Sequence, residues 1–168
     1  MVVCMTILSV YMLSSNKMKL YGNDKESIVN VIHSIDGYEN KAIDVLDIHD
    51  NHDSRVVAFT SDQIPAYIQF TRNAKGNYEW NHIEADRDAF GFFMLNYPKE
   101  KTPRVMIVAS AASPIAKMQV KVNGELLEQT FAPYRSYVSY IDLPPSDEQS
   151  YTFRDYKFFD KDGVLLDK

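Results

Sequence analysis

The sequence predicts a strand-rich α+β fold, with one N-terminal helix packed on an antiparallel meander and a small sandwich-like β unit after it. Three observations predict this. Helical spacing of apolar residues occurs in one capped stretch, through Ile28, Val31, Ile32 and Ile35. The rest of the chain is a succession of short apolar or alternating runs divided by Gly, Pro, Asn and Asp. Aromatic residues make up 12% of the chain, with 11 Tyr and 9 Phe, and such side chains pack well on a pleated surface.

The helix is expected over residues 24–36, with Asn23 and Glu26 as its capping box and Gly37 as its stop. Lys41–His49 reads as a strand whose apolar phase slips once, the mark of a bulge. Arg55–Thr60 is a short continuous run, and Ile64, Ala66, Ile68 and Phe70 alternate on one face of the next strand. Pro65 near the start of that strand suggests a sheet edge. A turn at Asn73–Gly76 leads into Asn77–Ala85, which carries Tyr78 and Trp80. Phe90–Leu95 and Val105–Ala109 follow, separated by a Pro98–Pro103 loop. Lys117–Val122 and Glu125–Phe131 flank Asn123-Gly124, a pair that favours the positive φ angles of a type I′ hairpin. Tyr134–Leu143, Tyr151–Phe159 and Val164–Leu166 complete the strands. The domain reading is residues 1–19 as a leader or anchor, 20–88 as helix plus sheet, and 89–168 as the sandwich-like unit, with one core between the last two left open.

Composition bounds the chemistry. A chain of 168 residues can bury most of the surface that its unfolded form exposes. Net charge is −5 with the charges interspersed, and no Lys/Arg cluster has the density that nucleic-acid phosphates demand, so no nucleic-acid partner is expected. Cys4 is the only cysteine, which rules out an intrachain disulfide and a thiolate zinc site. Met1–Leu13 carries no charge and is followed by Ser14, Ser15, Asn16, Lys17 and Lys19. Its length suits a signal-peptide core better than a full span of about 20 apolar residues. The expectation is a membrane anchor truncated at its basic start, with the domain outside the cytoplasm. Lys17 and Lys19 on the domain side run against that orientation, since positive charge tends to stay in the cytoplasm. The alternative is a buried first strand or helix of a cytosolic protein.

Two polar clusters are candidates for chemistry. His49, Asp50, His52 and Asp53 carry imidazole and carboxylate groups, which suit divalent metals such as zinc or manganese. The same residues also suit a plain polar hairpin loop. His82, Glu84, Asp86 and Asp88 share one face of a straight strand with Tyr78 and Trp80, an arrangement open to sugar binding or acid–base work. The six glycines are scattered singly, and no serine sits in a G-x-S-x-G elbow. Asp160-Lys161-Asp162-Gly163 has calcium-loop residue types in the wrong register, because Phe158 falls on the first ligand position; it reads as a hairpin turn. The C-terminal aromatics from Tyr134 to Phe159 suit either a binding face or cross-strand packing.

The short leader, the helix NDKESIVNVIHSI, the strand pair ending NAKGNYEW and the closing YKFFDKDGVLLDK together give a resemblance to a group of proteins. The chain resembles small, uncharacterised, N-terminally anchored extracytoplasmic proteins of Gram-positive spore-forming bacteria. That resemblance implies location and architecture rather than an activity. The functional expectation is a membrane-tethered extracytoplasmic domain with a non-enzymatic binding or structural role, no cofactor, and an envelope protein or cell-wall component as partner. The alternatives are an enzyme using the 47–53 or 82–88 cluster, and a cytosolic domain binding a small ligand.

Overall fold

The computed structural model describes residues 19–97, 102–144, 146 and 150–167. The strand-rich α+β expectation is met, with one short helix and antiparallel sheets throughout. Helix α1 (Lys25–His33) starts one residue later than its predicted capping box. Asp24 is the N-cap; its carboxylate accepts from the Ser27 amide at 2.8 Å, and the Ser27 hydroxyl accepts from the Asp24 amide at 2.9 Å. Asn23 is engaged elsewhere: its side chain donates to Asn77 and accepts from the Tyr78 amide, which fastens the incoming chain to the sheet. The helix ends before Gly37, because the Ser34 hydroxyl and amide both turn back onto the Val31 carbonyl. Gly37 serves the following turn at φ +89°.

Eleven strands are present among the described residues: β1 (Ile43–Asn51), β2 (Ser54–Ser61), β3 (Ile64–Arg72), β4 (Tyr78–Ala85), β5 (Phe90–Leu95), β6 (Arg104–Ala109), β7 (Lys117–Val122), β8 (Glu125–Thr130), β9 (Tyr137–Asp142), β10 (Phe153–Phe159) and β11 (Leu165–Leu166). They form three sheets. The first is the meander β1-β2-β3-β4, the second is β5-β6-β9, and the third is β11-β10-β7-β8. The predicted bulge in β1 lies between Val45 and Asp47. Asn123 and Gly124 take φ +50° and +89°, as a type I′ turn requires. Pro65 is not on an edge, since β3 is paired on both sides. It is tolerated because it lies at the strand's mouth, opposite Asp86 just past the end of β4; its carbonyl still accepts from the Asp86 amide at 2.9 Å.

Alternation then stacks the layers. Ile28, Val31 and Ile32 of α1 pack on Val57, Phe59, Ala66, Ile68 and Phe70 of the first sheet. The opposite face of that sheet, through Val56, Ala58 and Tyr67, meets Phe93, Leu95, Met106 and Val108 of the second sheet. The second sheet's other face, through Phe90, Val105, Ile107 and Ala109, packs on Met118, Val120 and Val122 of the third. The order is helix, sheet, sheet, sheet, with the second sheet buried on both faces. Face-to-face sheets lie about 10 Å apart, so the helix side and the free face of the third sheet are opposite poles. The C-terminal aromatics work mainly as packing: Phe90 meets Phe131 and Phe158 edge-on, and Phe92 meets Phe153 edge-on at 5.3 Å.

Candidate functional site

A cleft of about 200 Å³ opens at the hairpin end of the first two sheets, lined by Asn51, His52, Asp53, Ser54, Gln69, Thr71 and Tyr97. It arises because the second sheet is narrower than the first and leaves the mouths of β1, β2 and β3 uncovered. The residues that reach it are those of opposite phase to the helix-facing core: Gln69 and Thr71 alternate with the buried Ile68 and Phe70. Gln69 donates to the Ser54 hydroxyl at 3.1 Å, and Asn81 donates to the Thr71 hydroxyl at 2.7 Å. Tyr97 is 5% exposed and forms the apolar wall. Behind it the His49 ring lies 6.4 Å from Tyr97 and 5.1 Å from Tyr140. Tyr140 donates to the Asp47 carboxylate at 2.7 Å; burial first, then that carboxylate, hold its phenol well above the ordinary value, so it remains a donor across the neutral range.

The four candidate metal ligands fall in three different environments. Asp50 points to the helix side, where Arg55 grips both its oxygens at 2.6 and 2.7 Å. His49 lies on the other face, against the second sheet. His52 and Asp53 form the hairpin turn on the cleft rim, with His52 at φ +54° and Asp53 paired to Arg72 at 2.9 Å. Strand alternation separates the first two, and arginines occupy both carboxylates. Among the described residues, no group of three or more His, Cys, Asp or Glu side chains is placed to hold a metal ion.

The 82–88 residues do not share one face with Tyr78 and Trp80, because β4 is bulged. Phe70 pairs with Trp80 whereas Gln69 pairs with His82, leaving Asn81 as the extra residue. Tyr78 and Trp80 therefore lie on the helix side, and His82 and Glu84 on the other. There His82 sits 5.4 Å from the Tyr67 ring, and Tyr67 donates to Glu84 at 3.2 Å. Asp86 and Asp88 lie beyond the strand, in a turn where the Asp86 carboxylate accepts from the amides of Arg87 and Asp88.

Sequence reasoning found the rim residues His52 and Asp53 but missed Ser54, Gln69, Thr71 and Tyr97. The available signal was the polar phase of β3, which the apolar phase overshadowed. Tyr140→Phe is expected to lower stability by about 1.5 kcal/mol, since it strips the half-buried Asp47 carboxylate of its donor. Urea denaturation checks this, and an unchanged midpoint would show that Asp47 is satisfied without it. Compared with protein-family models, curated proteins and solved structures, the chain finds no match.

Proposed function

We propose that the chain is a membrane-tethered, envelope-facing binding domain that holds a small neutral ligand, such as one sugar unit, in the cleft beside Tyr97. The observation that carries the binding role is the make-up of that cleft: one aromatic wall facing hydroxyl and amide side chains of Ser54, Asn51, Gln69 and Thr71. A sugar ring has an apolar face and a hydroxyl rim, and a cleft of about 200 Å³ has room for little more than one ring. The tether rests on the uncharged run Met1–Leu13, which lies outside the described residues. Among the described residues, no helix is long and apolar enough to cross a membrane. The chain enters the described fold at Lys19, paired with Glu79 at 2.7 Å, in a shallow groove that includes Leu20 and Trp80. Those two apolar side chains are 41% and 43% exposed, and the tryptophan is a residue type that suits the headgroup boundary of a bilayer.

Two experiments test this. Protease shaving of intact cells is expected to cleave the protein while a cytosolic marker survives; full protection would leave the cleft reading but move it to the cytoplasm. Titration of the full chain with N-acetylglucosamine oligomers, followed by tyrosine fluorescence or NMR, is expected to show saturable binding. Tyr97→Ala and Gln69→Ala should each weaken it by roughly tenfold or more, about 1.4 kcal/mol or above. Equal binding by parent and variants would remove the cleft from consideration.

A further inference from the structure

The free face of the third sheet carries a stripe of cations that the sequence does not reveal. In β7, Met118, Val120 and Val122 are buried, so Lys117, Gln119 and Lys121 point outward. Register sets Arg154 of β10 opposite Lys121, Lys157 opposite Gln119, and Phe159 opposite Lys117. Four bases therefore share one face, spread along about 13 Å of strand. Arg154 and Lys121 stand directly opposite on neighbouring strands, a like-charge juxtaposition that costs stability. A chain of net charge −5 has gathered these cations against their own repulsion. Two acids temper them. Asp155, pushed out of register by the bulge in β10 and held at φ +58°, pairs with Lys121 at 2.8 Å. Glu128 accepts from Gln119 at 2.6 Å and lies 3.8 Å from Lys117. Arg154 and Lys157 are exposed and form no close salt bridge with another described residue, although both charges act, more weakly than Lys121, on the Asp155 carboxylate. Between the strands, a groove of about 440 Å³ is lined by Lys121, Asn123, Gly124, Thr152, Arg154 and Asp155.

The geometry points to this face as a docking surface for a linear anionic polymer. Charge complementarity selects an anion, and the layout selects a chain: the bases occupy three successive levels over about 13 Å, Lys121 with Arg154, then Lys157, then Lys117, and so meet successive charges of an extended polymer, whereas one compact anion would reach only the Lys121–Arg154 end.

The test uses the purified full chain in a non-ionic detergent, titrated with linear polyphosphate. Binding is expected to weaken between about sevenfold and fiftyfold as salt rises from about 50 to 200 mM, the slopes for two unpaired and for all four bases neutralised on a flexible strand. R154E/K157E, which breaks no salt bridge among the described residues, should still unfold cooperatively, with only the small shift that the lost Arg154–Lys121 repulsion brings, and lose binding by roughly tenfold or more. Tyr97→Ala should bind polyphosphate as the parent does, so a failed cleft leaves this result intact. No binding, or equal binding by R154E/K157E, overturns the proposal. So does charge-dependent retention on micelles doped with an anionic phospholipid in place of polyphosphate, which would assign the face to a lipid surface. Tighter capture of a single-stranded oligonucleotide of equal charge would overturn it as well.

Discussion

Ile107→Ala is expected to lower stability by about 3 kcal/mol, and to do so equally for every part of the molecule. Ile107 is fully buried and faces the third sheet, while its strand neighbours Met106 and Val108 face the first. A void there removes contacts from only one interface. The other interface is bonded to the same strand, however, so loosening β6 loosens both. Trp80, the only tryptophan, reports on the helix side of the first sheet, two layers away. In denaturant, its fluorescence and the amide hydrogen exchange of β7 should report the same transition, as a two-state unit requires. A variant in which β7 amides open at lower denaturant while the Trp80 transition stays put would show that residues 20–88 and 89–168 unfold as separate bodies.

Arg55→Met should cost about 3 kcal/mol at neutral pH, although no core methylene is lost. The Arg55 side chain is 11% exposed and ties four things together. It grips Asp50 with two nitrogens, donates to the carbonyls of Gly22 and Asn23 at 2.8 and 2.9 Å, and lies 3.9 Å over the Tyr78 ring. Methionine keeps much of the packing on Tyr78 and removes every donor. Asp50 is 45% exposed and rehydrates in part, which keeps the figure toward the lower end for a broken ion pair. Arg55→Lys should recover only some of the loss, because a point ammonium cannot span the carboxylate and both carbonyls. The Arg55 hydrogen bonds hold the Asp50 carboxyl below the usual carboxylate range. A depressed folded pKa adds stability above the unfolded value near 4, and that stability is lost as pH falls through the folded value. The parent should therefore weaken below about pH 4, and Arg55→Met should show a shallower acid decline. Equal midpoints for parent and Arg55→Met at pH 7 would sink the account.

The local devices were legible because their causes are local. Asn123-Gly124 dictates its turn, and the phase slip after Val45 announces its bulge. The bulge at Asn81 was not legible: Tyr78, Trp80, His82 and Glu84 read as perfect alternation, and only pairing with Phe70 and Gln69 shows that the phase breaks. Pairings between distant segments were equally hidden. Alternation marks which residues of β6 and β9 are apolar on a face, but not that Val105 meets Ile141 or that Lys121 meets Arg154. The cation stripe was lost for this reason, since its four bases come from two segments more than thirty residues apart that only the β7–β10 pairing brings side by side. The cleft was half visible, because His52 and Asp53 are turn residues in their own right whereas Tyr97 becomes a wall only when the second sheet docks on the first.

The strand order also bears on how the protein is made. Every pairing in the first sheet joins consecutive strands, so this sheet and its helix can close once residue 85 has left the ribosome. The second sheet cannot, because β6 waits for β9, which is synthesised only after the β7–β8 hairpin has been laid down for the third sheet. In that interval Val56, Ala58 and Tyr67 face water on a finished sheet with no cover. A nascent chain paused near residue 100 would expose an apolar face ready for a chaperone or for another copy in the same condition, which makes the pace of translation between residues 97 and 142 a determinant of yield.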